Sequence, residues 1–382
     1  MTATTIATEP VIVEPVDDNQ AMQAFIHLPW DLYDKHSLWV PPLKSDLKSM
    51  LDPAQHDPFY QHAQVRLFLA KQGGQPVGRV AAIINDAHLE AHQDGVGFFG
   101  FFESQNDPDI AAALFDAAGE WLRANGLRVM RGPASPSINH EAGLLVGDFA
   151  VRPSIMMPYN HPYYMDLLEN SGFTKVRELR CYMVDLQKTL PTPRQEQMAE
   201  RLVTRSSITL RRADLKQLRQ EAEIIRIIFN EAWKGLWGHV PMTAAEGVTM
   251  ADQLKQIIDE RLVLIGSIDG KPMAIALALP DFNVVLKHLN GRLTPLGMLK
   301  ALYFRRKIRR LRVIAFGVLQ EYRRQGLELP MMLQLCRNAV AAGYEEMELS
   351  WILEDNATTT ALMENHAIPR SQTYAMYERA LG

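Results

Sequence analysis

The segment VLQEYRRQGLELPMM, residues 318–332, is the most informative stretch of this 382-residue chain. The apolar run before it is typical of a strand and the apolar spacing after it is typical of a helix, so Arg323, Arg324 and Gly326 are predicted to lie in the connecting loop. The first turn of a helix exposes unpaired N–H groups and partial positive charge, and such a loop can hold phosphate oxygens. Gly326 permits a positive φ or a close approach to a ligand. A solvated turn that caps an ordinary helix is the alternative interpretation.

The composition predicts a globular protein with two domains of ordinary size. A chain of 382 residues with 47% hydrophobic residues can bury two cores, and a formal net charge of −4 argues against a general nucleic-acid binder. The two cysteines, Cys181 and Cys336, make neither a disulfide framework nor a cysteine-rich zinc site. No signal-like start and no run of about 18 apolar residues is present. We therefore expect a cytoplasmic protein with no nucleic-acid partner, no metal and no tightly bound cofactor.

A polar segment with two prolines, Leu186–Ser207, separates strand-like runs and is typical of a domain junction. We place the boundary near residue 190, which gives domains 1–190 and 191–382. Each half reads as strand, helix, hairpin, long strand, helix and strand, so the chain is predicted to be a duplicated α/β unit. The clearest helix follows Asp107 and Pro108, which are suited to the N-cap and the first helical position.

The second half resembles the GCN5-related N-acetyltransferase (GNAT) superfamily. In that family a loop of the form Arg/Gln-x-x-Gly-x-Gly/Ala wraps the pyrophosphate of acyl-CoA, and RRQGLE matches it at Arg323 and Gly326. The segment EDNATTTALMENHAI resembles a later family motif, with Asn356 in the asparagine position. The resemblance implies an α/β (α+β) fold of tandem GNAT-like domains, each with a mixed, mostly antiparallel sheet flanked by helices. It also implies a set of residues that bind the co-substrate: Val318, Leu319, Arg323, Arg324, Gln325, Gly326, Leu327 and Asn356.

Two positions depart from the family pattern. Glu328 takes the place of the last small residue of the loop and would put a carboxylate near phosphates. The tyrosine that often protonates the departing thiolate would fall at Met363. Because of Glu328, an acyl-carrier protein, whose phosphopantetheine presents fewer phosphates, is an alternative to acyl-CoA as the expected donor. Met363 implies that the acid lies elsewhere or that the second half is catalytically weak.

The whole chain resembles a bacterial family of two-domain GNAT-like proteins, some of which are assigned as ceramide synthases that N-acylate a sphingoid base. That resemblance implies an acyl-CoA-dependent N-acyltransferase acting on an amine, with a long-chain amine of the sphingoid type as the first acceptor to test. A catalytically inactive GNAT-like protein that binds a lipid or another ligand is the alternative. The resemblance rests on four stretches: GFFGFFESQND, RGPASPSINHEAGLLVGDF, IMMPYNHPYY and LSWILEDN.

The first half is predicted not to bind the phosphates of CoA. No lysine or arginine occurs from Gly95 to Leu122, where the corresponding loop would lie. This degenerate GNAT-like domain is expected to form the acceptor site or to act as a scaffold. Tyr159, His161 and Tyr164 lie among prolines and methionines, which suits a pocket for an amphiphile or, alternatively, a well-packed loop.

Two carboxylates are predicted as the base that takes a proton from the amine. Asp281 ends a predicted strand and Glu354 lies beside the Asn356 motif. His140 and Glu141 are adjacent, but neighbouring side chains point in different directions and no second histidine lies at helical spacing. We therefore expect no metal site there.

A basic segment, Lys300–Arg312, contains no acidic residue and alternates its cations with apolar side chains. It belongs to a predicted insertion near residues 291–312. Such a segment suits an anionic membrane surface on the inner face of the membrane. The alternatives are a nucleic-acid patch, a site for the 3′-phosphate of CoA and an ordinary solvated helix face.

Overall fold

The computed structural model describes residues 9–52, 57–189 and 191–382. Fifteen β-strands lie within these ranges: β1 (Ile12–Pro15), β2 (Ala63–Gln72), β3 (Gln75–Asn85), β4 (Val96–Ser104), β5 (Val129–Gly132), β6 (Ala134–Ser135), β7 (Glu141–Ala142), β8 (Leu144–Gly147), β9 (Thr174–Asp185), β10 (Thr209–Arg212), β11 (Val263–Ile268), β12 (Lys271–Pro280), β13 (Arg310–Val318), β14 (Glu346–Leu353) and β15 (Arg370–Ala380). Twelve α-helices lie in the same ranges: α1 (Asn19–Leu32), α2 (Lys44–Leu51), α3 (Asp86–His92), α4 (Pro108–Ala124), α5 (Tyr164–Asn170), α6 (Pro193–Ser206), α7 (Leu218–Trp233), α8 (Ala244–Leu254), α9 (Asn283–Leu289), α10 (Pro295–Arg305), α11 (Glu328–Ala341) and α12 (Ala357–Asn365).

One large sheet joins both halves of the chain. Its strand order is β1-β2-β3-β4-β5-β15-β9-β14-β13-β12-β11-β10, and β8 also pairs with β15. The pairs β4/β5 and β13/β14 are parallel, whereas the other strand pairs of this sheet are antiparallel. Strands β1–β5 and β10–β14 repeat one arrangement, which confirms the prediction of tandem, mostly antiparallel units.

The two halves exchange strands at the centre of the sheet. Strand β9 of the first half pairs with β14 of the second, where Leu349 lies opposite Tyr182. Strand β15 pairs with β5, where Tyr377 lies opposite Gly132, and also with β8 and β9. Tyr182 packs in the core of the second half and Tyr377 in the core of the first. The predicted division at residue 190 remains a prediction, and that residue lies outside the described residues.

The clearest predicted helix forms with the predicted ends. Asp107 accepts a hydrogen bond from the Asp109 amide as the N-cap of α4, and Pro108 occupies the first helical position. By contrast, most of the polar segment that was predicted to be a junction forms α6. Thr192 and Gln195 close a capping box at its start, because each side chain bonds to the other's backbone N–H.

The insertion between β12 and β13 consists of α9 and α10, which pack against each other. The predicted insertion, 291–312, extends too far. Strand β13 begins at Arg310, so Arg310 and Arg312 belong to the central sheet and not to a free basic segment.

We predict that a fragment ending at the predicted boundary, residues 1–190, will not fold cooperatively. In that fragment β9 has lost both of its sheet neighbours and β5 has lost β15, so a hydrophobic sheet edge is left unpaired. Urea unfolding followed by circular dichroism and size-exclusion chromatography measure the outcome.

The control is co-expression of 1–190 with 191–382, which should yield a complex that purifies together and unfolds in one transition. A monomeric 1–190 fragment with a sharp unfolding transition of its own would show that the strand exchange is dispensable.

Candidate active site

A gap opens between the parallel strands β13 and β14. The two strands pair only from Arg310 to Val313, opposite Glu346 to Leu349, and β13 then continues to Val318 without β14. The Leu319 amide donates to the Met273 oxygen (2.9 Å) on the β12 side. Because successive amides of a strand point to opposite edges, the Val318 amide points toward the gap. An extended ligand can bind such an open strand edge through backbone hydrogen bonds.

The loop that follows β13 has the backbone conformation of an anion-binding turn. Arg324 and Gly326 both adopt positive φ angles, 63° and 76°, just before α11 begins at Glu328. Left-handed residues beside a helix N-terminus turn several N–H groups toward one point. Of the two roles that the sequence allows for Gly326, the structure shows the positive φ, and Glu328 lies in the first turn of the helix.

The two arginines of this loop have different surroundings. The Arg323 guanidinium donates to the Val318 oxygen (3.2 Å) and to the Ala232 oxygen, so it joins the end of β13 to α7. The Arg324 side chain is exposed and has no hydrogen bond or ion pair within the described ranges. Arg324 is therefore the cation of this pair that is free for a phosphate.

The other predicted donor-site residues have structural roles. Gln325 is exposed, with its side-chain amide 3.4 Å from the Glu321 oxygen, and the Leu327 side chain is fully buried in the core. Asn356 caps α12 by accepting a hydrogen bond from the Thr359 amide (3.1 Å). Met363 is buried in the same core, so that position supplies no acid.

The two predicted bases lie at opposite ends of β14. Asp281 lies beside Arg310, since its amide donates to the Arg310 oxygen (2.9 Å), and Arg310 pairs with Glu346 at the start of β14. Glu354 follows the far end of this 8-residue strand, which places the two carboxylates roughly 25 Å apart along it. The structure therefore does not bring them together.

Asp281 has the surroundings of a structural residue that joins the two halves. Its side chain is completely buried and accepts a hydrogen bond from Arg152 Nη2 at 2.6 Å. Burial raises the pKa of Asp281 to about 6, although the charges of Arg152 and Arg310 oppose that shift. A carboxylate held in this way has no free face for a substrate amine.

A buried polar cluster lies at the point where the gap opens. Glu348 accepts hydrogen bonds from Ser154 Oγ (2.7 Å) and Ser350 Oγ (2.9 Å), and Arg312 Nε donates to Ser350 Oγ (2.8 Å). Burial lowers the pKa of Arg312, and the Glu348 charge opposes this shift. The sequence analysis missed this cluster. Its signal was a charged residue in the middle of each of two apolar strands, Arg312 in β13 and Glu348 in β14.

A segment of the first half, residues 152–156, packs over that cluster, and each of its residues binds a polar group of the second half. Arg152 binds Asp281, and the Pro153 oxygen accepts from Asn283 Nδ2 (2.9 Å). Ser154 donates to Glu348, and the oxygens of residues 155 and 156 accept from Arg312 Nη1 at 2.8 and 2.9 Å. Five consecutive residues of one half therefore satisfy polar groups of the other.

Glu141 lies close to this cluster on the short hairpin of β6 and β7. Its side chain is exposed, yet protein atoms surround it closely enough that burial raises its pKa, while the nearby Arg312 charge opposes the rise. The Glu141 carboxylate is thus accessible to solvent and, at the same time, closely surrounded by protein atoms. Its neighbour His140 bonds instead to Ser137 Oγ (2.8 Å). The described residues contain no group of His, Cys, Asp and Glu side chains able to hold a metal ion.

The three residues predicted to bind the acceptor lie together, around Tyr33. The His161 ring stacks on the Tyr33 ring at 4.6 Å, and the Tyr159 ring lies 6.1 Å from it. The hydroxyls of Tyr33 and Tyr164 both donate to Glu103 Oε2, at 2.9 and 2.7 Å. Burial raises the pKa of Glu103. Tyr33 and Glu103 are distant in sequence from the other members, and the sequence analysis missed both.

The equivalent gap in the first half is filled by its own chain. Pairing of β4 with β5 ends at Phe98, and β6 then crosses the opening. Ser135 Oγ accepts from the Phe101 amide (2.9 Å), and the Ala134 oxygen lies so close to Gly100 that a side chain there would collide with it. An extended ligand has no free strand edge at this place.

Comparisons with known proteins place the chain among relatives of the same length. No family model matches it. It is 36% identical over 380 residues to the "Bacterial ceramide synthase" of Caulobacter vibrioides, covering 97% of each chain. It is 33% identical over 367 residues to "Protein YghO" of Escherichia coli, covering 94% of this chain and 93% of that one.

Two solved structures share the fold at low sequence identity. A tandem GNAT protein from the clavulanic acid biosynthesis pathway matches with a TM-score of 0.56 and 11% identity, covering 98% of this chain and 99% of that one. The GCN5-related glucosamine N-acetyltransferase region of a fungal GH3 β-N-acetylglucosaminidase matches with a TM-score of 0.56 and 13% identity. The match covers 98% of this chain and 38% of that one. The tandem GNAT fold predicted from the sequence is confirmed.

We predict that Arg324→Glu will weaken binding of palmitoyl-CoA at least about tenfold without changing thermal stability. A charge-assisted hydrogen bond to a phosphate contributes about 1.5–3 kcal/mol, and the substitution also adds repulsion. Isothermal titration calorimetry measures the affinity, and Arg123→Glu, an exposed position on α4, is the matched control.

Arg323→Ala should behave differently, because its guanidinium binds backbone oxygens. It should lower the unfolding midpoint as well as the affinity. Unchanged affinity in Arg324→Glu would remove this loop from the donor site.

Proposed function

Since the chain belongs to the protein family of the Caulobacter ceramide synthase and YghO, we propose that it transfers an acyl group from a thioester to an amine. The observation that carries the proposal is the 36% identity to the ceramide synthase, which extends over both halves. The shared length matters because the polar contacts of the candidate site come from both halves. The proposed acceptor is a long-chain amine of the sphingoid type. The proposed donor is acyl-CoA, and the alternative donor is an acyl-carrier protein, which carries the acyl group on the same phosphopantetheine arm.

The second half supplies the donor site in this proposal. The gap beside β13 offers an open strand edge for a pantetheine arm, and the loop at Arg324 and Gly326 lies at the end of that strand. The length of β13 from Val318 back to Val313 is roughly 17 Å, which is comparable to an extended phosphopantetheine arm. A thioester held by these elements would reach the place where β13 and β14 separate.

The first half supplies the acceptor side. Its own gap is closed by β6, and it contributes the aromatic cluster of Tyr33, Tyr159, His161 and Tyr164. Tyr159 is partly exposed, whereas Tyr164 is buried and bonded to Glu103. Aromatic side chains with a polar tip suit an amphiphile that has an apolar tail and a polar head.

An exposed apolar surface on α10 supports contact with a membrane. Six large apolar side chains, each 52–65% exposed, lie on α10 and just before it: Leu293, Leu296, Met298, Leu299, Leu302 and Tyr303. Exposed cations interrupt or follow them, among them Lys300, Arg305, Arg306 and Lys307, whereas the exposed Arg309 is paired with Glu345. Apolar side chains beside cations match a bilayer with anionic headgroups.

This surface is shorter than the predicted basic segment. Arg310 is paired with Glu346 (2.9 Å) and Arg312 is buried, so neither faces a membrane. None of the helices in the described ranges is long and apolar enough to cross a bilayer. We propose peripheral attachment at the inner face of the membrane, where a long-chain amine is available and a reducing compartment keeps Cys181 and Cys336 free.

We predict that the protein will form an amide from a sphingoid base and palmitoyl-CoA in preference to acetyl-CoA. Each buried methylene contributes about 0.8 kcal/mol, so roughly four more buried methylenes would favour the longer acyl chain more than about 100-fold. Product amide and free thiol are measured together by mass spectrometry and a thiol reagent.

Turnover with acetyl-CoA and small polar amines instead would assign the protein to a different substrate class. Binding of acyl-CoA without thiol release from any donor and amine would favour the inactive, ligand-binding alternative.

We predict that the double substitution Leu299→Asp and Leu302→Asp will reduce binding to vesicles that contain anionic lipid at least about tenfold, because two apolar anchors become charged. Co-sedimentation at low and high salt measures the effect. The matched control is Ile12→Asp, which is 55% exposed on the edge strand β1.

The wild-type protein should release from these vesicles as salt screens the cations. Equal sedimentation of the wild type and the double variant would place the membrane contact elsewhere.

A further inference from the structure

We propose that Glu141 is the general base that takes the proton from the attacking amine, and this inference rests on the proposed acyl transfer. Glu141 comes from the first half, whereas the donor site comes from the second. The active site is then composite, and neither half contains a complete set of reacting groups.

The position of Glu141 agrees with this role. The hairpin of β6 and β7 pairs Glu141 with Ser135, and its carboxylate lies close enough to Arg312 for the two charges to affect each other. Arg312 immediately precedes Val313, the last residue of β13 that pairs with β14. Glu141 is therefore near the place that a thioester would reach from the loop at Gly326.

Glu141 differs from the other carboxylates near the gap in being free. Its side chain is exposed to solvent and has no hydrogen bond or ion pair within the described ranges. Asp281 is bound to Arg152, and Glu348 accepts from two serine hydroxyls, and both are completely buried. Glu354 lies at the far end of β14. Among these carboxylates, Glu141 alone can face both water and an incoming amine.

The electrostatic surroundings suit proton transfer. Burial and the charge of Glu103 raise the pKa of Glu141, while Arg312 opposes them and favours the ionised form. Tyr374 of β15 also lies within the field of this carboxylate. A carboxylate with a raised pKa accepts a proton more readily at neutral pH than an ordinary one.

The proton balance of the step is complete. The amine nitrogen forms a bond to the thioester carbon and the carbon–sulfur bond breaks. Glu141 takes one proton from the nitrogen, and that proton passes to the departing thiolate, either directly or through a water molecule, so that Glu141 is ionised again. The products are an amide and a free thiol, and no oxidant, reductant or metal is required.

The first test compares Glu141→Gln with wild type, using a sphingoid base and palmitoyl-CoA. We expect kcat to fall about 100-fold or more while the affinity for palmitoyl-CoA stays within about twofold. In wild type the rate should rise with pH as Glu141 loses its proton around its raised pKa. In the variant this dependence of the rate on pH should be absent. Glu120→Gln, an exposed carboxylate on α4, is the matched control.

The second test needs no turnover. A small apolar carbodiimide reacts with protonated carboxyls in apolar clefts, so it should label Glu141 below neutral pH, and a non-hydrolysable palmitoyl-CoA analogue should protect it. Peptide mass spectrometry locates and quantifies the label. Failure of Glu141 to react, or reaction that the analogue leaves unchanged, would overturn the inference.

The two tests separate this inference from the proposed function. An active wild type with an equally active Glu141→Gln variant would refute the role of Glu141 and keep the acyltransferase. A wild type without turnover on any amine would refute the proposed function, and the labelling result would then show whether Glu141 faces the bound acyl-CoA.

Discussion

Three buried charges at the junction of the two halves constrain the rest of the structure. Asp281, Arg312 and Glu348 are removed from water, and an unpaired charge in such a place costs several kcal/mol. Their partners come largely from one segment of the first half, residues 152–156. The need to satisfy these groups therefore constrains the orientation of the two halves, and the same orientation places the Glu141 charge within reach of Arg312.

The two halves use one topology in opposite ways. In each of them a parallel strand pair separates after a few residues, and the opening is either left free or filled. The first half fills it with β6, and Gly100 is needed there because the Ala134 oxygen leaves no room for a side chain. The second half leaves it open and follows it with a loop of positive φ angles at Arg324 and Gly326. A short change of chain path is enough to turn a ligand-binding edge into a scaffold.

Local patterns in the sequence predicted most of the elements but not their partners. Two apolar runs flank Asp269 and Gly270 in the sequence and form β11 and β12, and both turn residues have positive φ angles. Helix α11 shows the limit. In its apolar stripe Leu329, Leu333, Cys336 and Val340, Leu333 is buried and Cys336 packs against the core, but Val340 is exposed. A second stripe, which contains Met331, Leu335 and Ala339, is completely buried. The choice between two such stripes is made by tertiary packing. For the same reason, no local signal showed that the Arg323 guanidinium binds Ala232 or that Glu141 faces Arg312.

The exchanged strand β15 also sets the order in which the protein can be assembled during its synthesis. Strand β15, the neighbour of β5, lies roughly 240 residues later in the chain. At a synthesis rate of about 5–20 residues per second, β15 is made on the order of tens of seconds after β5. During that time the growing chain carries an unpaired sheet edge beside an apolar core. Pairing over so long a separation is also slow once both strands exist. Until β15 is made, the edge of β5 in the nascent first half is therefore open to pairing with other chains.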